Sequence, residues 1–269
     1  MNRFEPYRIG CYNPPVFVIV ARLLVGLVVL FVPTAADAQL AVAAASDLQM
    51  VMSAISSRYE RATGQQLRVS FGSSGQFFAQ IQNGAPFDVF LSADETYVTG
   101  LVASGQAVAG SVVPYASGRL ALWARKDKGL NLANGLRSLA DPGVRRIAIA
   151  NPEHAPYGRA AVEALRRAGV YDQVRTRLVL GENVAQAAQF AQTGNADAAL
   201  IALSLTRTPA MQNAGTLVEI PPDAHKLIRQ SGVVLTRAAD KEGARRFLTF
   251  LTSDDIATLL ATSGFGRRQ

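Results

Sequence analysis

The residues that could do chemistry in this sequence lie in four turns, each directly after a short apolar run typical of a β-strand. In one-letter code the turns are AAASDL at 43–48, FGSSG at 71–75, NPEHAPYG at 151–158 and GENV at 181–184. In open α/β sheets, ligands lie beyond the carboxyl ends of the strands, against the N-termini of the helices that follow. A helix N-terminus presents unpaired backbone N–H groups and a partial positive charge. The four turns are therefore candidates for an anion-binding site.

Each of these turns also has a purely structural interpretation. Ser46 could cap the helix that follows it, with Gln49 completing a capping box. Ser73 and Ser74 lie between two glycines, which let a backbone approach a ligand closely but are also ordinary turn residues. Any one turn alone favours the structural interpretation. Two such turns in each half of the chain strengthen the interpretation as a binding site.

The elements that must position the turns alternate short apolar strands with amphipathic helical patterns. The predicted strands of the first half cover 40–45, 67–71 and 88–91, and each is followed by a helix. The predicted strands of the second half cover 120–124, 147–150, 178–180, 198–202 and 217–220. The tail adds a strand at 233–235 and helices around 244–251 and 256–260. This order predicts an α/β fold in which mostly parallel sheets are flanked by helices.

Three strands make a thin sheet for the first half, so we expect the tail to return to it. The resulting prediction is a pair of lobes. Residues 39–119 and 229–269 would form lobe 1, and residues 120–228 would form lobe 2. The chain would cross between the lobes near 117–121 and again near 227–231, and two crossing strands make a natural hinge.

The first 38 residues have the features of a cleaved signal peptide. These features are the charges of Arg3, Arg8 and Arg22, the run of apolar or glycine residues at 23–32, and the small-x-small site at 36–38. A membrane anchor is the alternative, but the uncharged stretch is too short to span a hydrocarbon layer of about 30 Å. We therefore predict a signal peptide over 1–38, a mature chain that begins near Gln39, and a soluble monomer in the periplasm.

Composition excludes several classes of function for the predicted mature chain. Cys11 is the one cysteine, so beyond residue 38 there is neither a disulfide nor a thiolate metal site. The formal net charge of the sequence is +7, but no basic stripe is interleaved with aromatic residues, so we expect no nucleic-acid partner. His154 and His225 fall in no metal-ligand motif, and GSSG at 72–75 lacks the spacing of a nucleophile elbow. The sequence favours a binding protein over an enzyme.

At the four turns the sequence resembles the periplasmic molybdate-binding proteins of ABC importers, which are extracellular solute-binding proteins. The resemblance is also carried by GAPFDVFLSAD at 84–94, GENVAQA at 181–187 and TGNADAALIALS at 193–204. These motifs extend through essentially the whole predicted mature chain. The resemblance implies a two-lobed periplasmic-binding-protein fold, no catalytic residues and no cofactor. It also implies molybdate or tungstate as the ligand and the membrane permease of an ABC importer as the partner.

The same resemblance implies which residues hold the oxyanion. Ser46 and Ser74 would donate through their hydroxyl and backbone N–H groups, and Tyr157 and Val184 through their backbone N–H groups. No side chain would bind molybdenum directly. Some family members add a tyrosine hydroxyl at a position where this chain has Ala202. The Tyr157 phenol is one candidate to replace that hydroxyl, and the alternative is that only the Tyr157 N–H contributes.

The chemistry of molybdate agrees with such a site, but other ligands remain open. Molybdate is a tetrahedral dianion that offers only acceptors. Neutral donors on preorganised turns would satisfy it without a buried Lys or Arg, whose desolvation would be costly. Sulfate, another oxyanion, a ferric complex and an organic acid are the alternatives. Iron capture favours several converging tyrosines or carboxylates, and an organic acid favours an Arg or Lys in the pocket.

Overall fold

A computed structural model of the protein describes Gly10 and residues 39–268. The predicted signal peptide over 1–38 therefore lies, apart from Gly10, outside the described residues. Within the described part of the chain, no helix is both long and apolar enough to cross a membrane.

The first sheet is built from four strands of the N-terminal half and one strand of the tail. Its strands are β1 (Leu40–Ala45), β2 (Leu67–Gly72), β3 (Val89–Ser92), β4 (Val113–Gly118) and β10 (Ile228–Val234). Their order across the sheet is β2-β1-β3-β10-β4. Strand β1 pairs in parallel with β2 and β3, whereas β10 pairs antiparallel with β3 and β4. Four strands thus point one way and β10 points the other.

The second sheet repeats this arrangement with strands from the middle of the chain. Its strands are β5 (Leu120–Arg125), β6 (Ile147–Ala150), β7 (Leu178–Gly181), β8 (Ala198–Ala202) and β9 (Gly215–Glu219). The order is β7-β6-β8-β5-β9, and β5 is the strand that runs antiparallel to its two neighbours. The predicted α/β fold with two lobes and mostly parallel sheets is confirmed.

Helices cover the sheets because each buries one apolar face. The first sheet carries α1 (Gln49–Thr63), α2 (Ser74–Gln82), α3 (Glu95–Ala103), α8 (Lys241–Leu251) and α9 (Asp254–Thr262). The second carries α4 (Pro156–Arg167), α5 (Tyr171–Val174), α6 (Val184–Gln192) and α7 (Pro209–Ala214). Helix α1 shows the pattern, since Val51, Met52, Ile55 and Tyr59 are its buried residues. It ends at Gly64, which adopts a φ of 77° that a side chain would disfavour.

The chain passes from the first sheet to the second between β4 and β5, and it returns between β9 and β10. The lobe boundaries predicted at 119/120 and 228/229 lie close to these two passages, and they stay a prediction, as does the hinge. Below, lobe 1 means the part of the chain around the first sheet, and lobe 2 the part around the second.

Two strands differ from the sequence prediction for identifiable reasons. Strand β4 was not predicted, because Pro114, Ser117 and Gly118 make its composition that of a turn. It is the edge strand of the sheet, beside β10, a position at which a proline is tolerated, and its Ser117 also forms an isolated bridge with Gly266. Strand β10 begins at Ile228, well before the predicted start at Val233, because its first half is polar in composition yet buried between β3 and β4.

Candidate functional site

The carboxyl ends of β1 and β2 face the N-termini of α4 and α6 across a small cavity between the lobes. The cavity is lined by Ala45, Ser46, Asp47, Gly72, Ser73, Ser74, Ala93, Ala155, Pro156, Tyr157 and Val184. All four predicted site residues are in this set, and each is buried, with exposures of 3% for Ser46, 1% for Ser74, 2% for Tyr157 and 4% for Val184. The structure brings the four residues together from both lobes, and their role in binding stays a prediction.

The Ser74 hydroxyl accepts one hydrogen bond and keeps its hydrogen available to donate. Ser73, not Ser74, is the N-cap of α2, and its Oγ accepts a hydrogen bond from the N–H of Gln76 at 3.3 Å. The Oγ of Ser74 accepts a hydrogen bond from the backbone N–H of Ala93 at 2.9 Å. Because a hydroxyl can accept and donate at once, Ser74 can still donate into the cavity.

Ser46 begins a 3₁₀ turn, Ser46–Leu48, that connects β1 to α1. Neither this turn nor α1 has a side-chain cap, so the structural interpretation of Ser46 and Gln49 as a capping box is wrong. The Ser46 Oγ instead accepts a long hydrogen bond of 3.4 Å from the backbone N–H of Ala185 in lobe 2. Ser46 thus faces the other lobe and has no capping role.

The two site residues predicted in lobe 2 lie at helix N-termini, where backbone N–H groups lack partners within the helix. Tyr157 lies in the first turn of α4, which begins at Pro156 and has no side-chain cap. Val184 is the first residue of α6, and the capping side chain of Asn183 accepts from Ala185 and Gln186 and not from Val184. The first N–H groups of a helix have no partner within it. The N–H groups of Tyr157 and Val184 are therefore suited to bind an anion.

The Tyr157 phenol donates its hydrogen bond to a side chain of the protein, and not into the cavity where a ligand would lie. Its hydroxyl donates to Oδ2 of Asp47 at 3.0 Å, across the lobes. The ring passes close to Gly118, where a side chain would collide with it. Because the phenol hydrogen is directed at Asp47, this geometry favours the alternative in which only the Tyr157 N–H contributes to the site. Ala202 is fully buried at the end of β8.

Asp47 is the main residue at the site that sequence reasoning missed. Its carboxyl lines the cavity and is fully buried. Oδ2 accepts hydrogen bonds from Tyr157 and from the amide of Gln230, whereas Oδ1 has no hydrogen-bond partner among the described residues. Burial raises the pKa of the Asp47 carboxyl to about 6, although the hydrogen bonds from Gln230 and Tyr157 lower it. The sequence signal that could have indicated Asp47 is that it is the one acidic residue in the turn that follows the apolar strand β1.

Several further contacts join the lobes beside the cavity. The N–H of Gly75 donates to the backbone oxygen of His154 at 2.9 Å. On the α3 side, the Arg159 guanidinium donates to Asp94 at 2.6 Å and to the Tyr97 hydroxyl at 3.0 Å. The sequence gives no sign of these pairs, since they arise only when the lobes meet. They hold the lobes together in the described conformation.

Ser73, His154 and Glu182 lie in an order that resembles a hydrolase triad, but their geometry does not support catalysis. Ser73 Oγ is 2.8 Å from His154 Nδ1, while His154 Nε2 is 3.8 Å from Glu182, whose side chain is 66% exposed. A triad needs a carboxylate that is hydrogen-bonded to the imidazole and orients it. Within residues 39–268, no group of His, Cys, Asp or Glu side chains could hold a metal ion. These three side chains serve as contacts between the lobes.

Comparison with known proteins identifies the family. A model of the bacterial extracellular solute-binding proteins matches residues 40–266. A molybdate-binding protein of Azotobacter vinelandii is 37% identical over 247 residues, which cover 91% of this chain and 97% of the relative. A molybdate-binding protein of Rhodobacter capsulatus is 36% identical over 241 residues, with coverages of 88% and 91%.

A solved structure agrees with these relatives. The periplasmic molybdate-binding protein of Azotobacter vinelandii matches with a TM-score of 0.80 at 32% identity, over 86% of this chain and 100% of that chain. This match confirms the periplasmic-binding-protein fold that the resemblance implied. The matching family consists of solute-binding proteins, which confirms the interpretation as a binding protein and not an enzyme. The chain belongs to the bacterial extracellular solute-binding proteins.

Proposed function

We propose that this protein captures molybdate, or the equally shaped tungstate, between its two lobes in the periplasm and delivers it to the permease of an ABC importer. The observation that carries the proposal is the cavity where four turns meet. Ser46, Ser74, Tyr157 and Val184 all line it, and no Lys or Arg is among its lining residues. Two relatives, which cover 91% and 88% of the chain, are molybdate-binding proteins.

The division of the donors between the lobes supports a closing mechanism. Ser46 and Ser74 belong to lobe 1, and Tyr157 and Val184 to lobe 2, so neither half alone surrounds a tetrahedral ion. Binding therefore favours the closed state, because only that state offers the ion all of its contacts. The lobes, 39–119 with 229–269 and 120–228, would move about the two chain crossings. The permease would recognise the closed form of the monomer.

Calorimetric titration of the mature chain with molybdate, tungstate, sulfate and phosphate tests the proposal. Molybdate and tungstate should bind tightly and alike, because both are tetrahedral dianions of similar size. Sulfate has the same charge but is smaller, and it should bind far more weakly. Equal affinity for sulfate, or tighter binding of phosphate, would assign the site to another oxyanion.

Replacing Tyr157 by Phe should weaken molybdate binding only through the loss of its contact with Asp47. This contact lies within the protein and does not touch the ion, so it should contribute about 0.5–1.5 kcal/mol like an ordinary intramolecular hydrogen bond, and we expect a loss of roughly twofold to tenfold in affinity. The effect should disappear when Asp47 is replaced by Ala, because the phenol then has no carboxyl to hold. A calorimetric double-mutant cycle measures this coupling. If Tyr157→Phe costs the same in both backgrounds, the phenol contacts the ligand directly.

A further inference from the structure

We propose that binding of a doubly charged oxyanion takes up one proton, which neutralises the carboxyl group of Asp47. The inference rests on the proposed function, since it concerns the same cavity. It adds a residue that sets how affinity depends on pH and on the charge of the ligand. Asp47 is next to two of the predicted site residues, since Ser46 precedes it in sequence and the Tyr157 hydroxyl contacts its carboxyl.

The first argument is geometric. Asp47 lines the cavity, and its side chain is fully buried. Its Oδ1 has no hydrogen-bond partner among the described residues, although Oδ2 has two. An unpaired carboxylate oxygen in such a place is costly to keep charged. A proton on this group would remove that cost.

The second argument concerns the groups that face the carboxyl. From α4 and β10 come the Tyr157 hydroxyl and the Gln230 amide, both neutral donors. From β4 the phenol of Tyr115 is near enough for the Asp47 charge to raise its pKa further, beyond the effect of its burial. Lobe 2 packs Ser204 against the turn, with its hydroxyl donating to the Asp47 backbone oxygen at 2.8 Å. None of these groups carries a positive charge that could offset a carboxylate.

The third argument is electrostatic. A carboxylate beside a dianion in a buried cavity is a repulsive pair, and a neighbouring like charge favours the protonated form of an acid. Burial already raises the pKa of Asp47 to about 6. A bound dianion adds to this effect in the same direction. At neutral pH the closed, occupied protein would therefore hold one proton more than the free protein and free ligand.

The sign of the pH dependence follows from this order of pKa values. Asp47 has a lower pKa without ligand than with it. The closed conformation without ligand has a pKa of about 6 at this carboxyl, so affinity should fall as the pH rises through this value toward the higher pKa of the occupied form. For uptake of one proton, the fall approaches about tenfold per pH unit until the pKa of the occupied form is reached. Molybdate itself stays a dianion throughout this range, so the ligand does not cause the change.

Isothermal titration calorimetry with molybdate tests the proposal. The wild-type chain is titrated near pH 7 in two buffers with different ionisation enthalpies, PIPES and imidazole. The difference in observed heat should correspond to uptake of close to one proton. Asp47→Asn should show no uptake and an affinity that does not change between pH 6.5 and 8. Asp172→Asn is the matched control, because it removes the same charge at an exposed position and should behave as the wild type.

A second measurement needs no substitution. The carboxyl ¹³C resonance of Asp47, followed over pH in aspartate-labelled protein, should titrate at a higher pH with molybdate than without it. Equal heats in the two buffers for the wild-type protein, or an Asp47 pKa that molybdate does not change, would overturn the proposal. Binding of molybdate without proton uptake would leave the proposed function intact. The absence of any binding of molybdate or tungstate would reject the proposed function itself.

Discussion

Replacing Gly75 by Ala should weaken molybdate binding by about 2–4 kcal/mol, or roughly 30-fold to several hundred-fold, because the lobes could no longer close fully. The N–H of Gly75 donates to the His154 backbone oxygen in lobe 2 at 2.9 Å. A Cβ on Gly75 would lie 2.6 Å from that oxygen and 2.7 Å from the Tyr97 hydroxyl. The backbone of His154 cannot turn aside as a flexible side chain could. Relief of the overlap therefore requires the lobes to separate.

Calorimetry measures the loss of affinity, and small-angle scattering shows whether the lobes still close. Molybdate should lower the radius of gyration of the wild-type protein and change that of Gly75→Ala much less. Gly100→Ala is the matched control, because its new Cβ would meet only the Phe78 side chain within lobe 1. The ligand-free melting temperature of Gly75→Ala should change little, because Ala is more stable than Gly in a helix by about 0.5–1 kcal/mol and this gain offsets a small displacement of the Tyr97 hydroxyl within lobe 1. Full affinity in Gly75→Ala would show that this contact is not needed for closure.

Replacing Ser46 and Ser74 together by Ala should weaken molybdate binding by about 3–6 kcal/mol, since each hydroxyl would donate a bond worth about 1.5–3 kcal/mol to a charged ligand. Ser46→Ala is the cleaner of the two single variants, because its hydroxyl caps no helix. Ser74→Ala also leaves the buried N–H of Ala93 without its acceptor, which should cost about 1–3 kcal/mol of stability without ligand.

Thermal melts with and without molybdate separate binding from stability in these serine variants. Ser46→Ala should keep the melting temperature of the free protein but lose much of the upward shift that molybdate produces. Thr208→Ala is a suitable control, because that hydroxyl caps α7 by accepting from Met211 at 3.2 Å and lies outside the cavity. It should lower both melting temperatures equally. The same behaviour in Ser46→Ala would assign its hydroxyl a structural role only.

The sequence predicted most of the fold because most strands are buried on both faces. The strand at 40–45 and the strand at 198–202 are continuous apolar runs, and the structure has both with the predicted bounds. Strand β4 and the first half of β10 lacked this signal, since their composition is that of turns. Their pairing is decided by contacts between distant parts of the chain, which local periodicity does not contain.

The parts of the candidate site that are local in sequence could also be predicted, whereas contacts between distant residues could not. The turns that carry Ser46, Ser74, Tyr157 and Val184 are local motifs, and they meet in one cavity. The partners of Asp47 are not local, since Tyr157 is 110 residues away in sequence and Gln230 is 183 residues away. No pattern within a single turn indicates which distant side chain will face it. The buried carboxyl became evident only from the packing of α4 and β10 against the 3₁₀ turn.

The insertion of β10 between β3 and β4 has a consequence for the order in which the protein folds. The sheet of lobe 2 is made from one continuous stretch, β5 to β9, and it can be completed once Glu219 is available. The sheet of lobe 1 has a gap between β3 and β4 until the chain reaches Val234. Before then, both neighbours of the gap expose unpaired backbone groups, which can pair with other chains. A chain truncated before Ile228 should therefore retain a foldable lobe 2 and an aggregation-prone lobe 1.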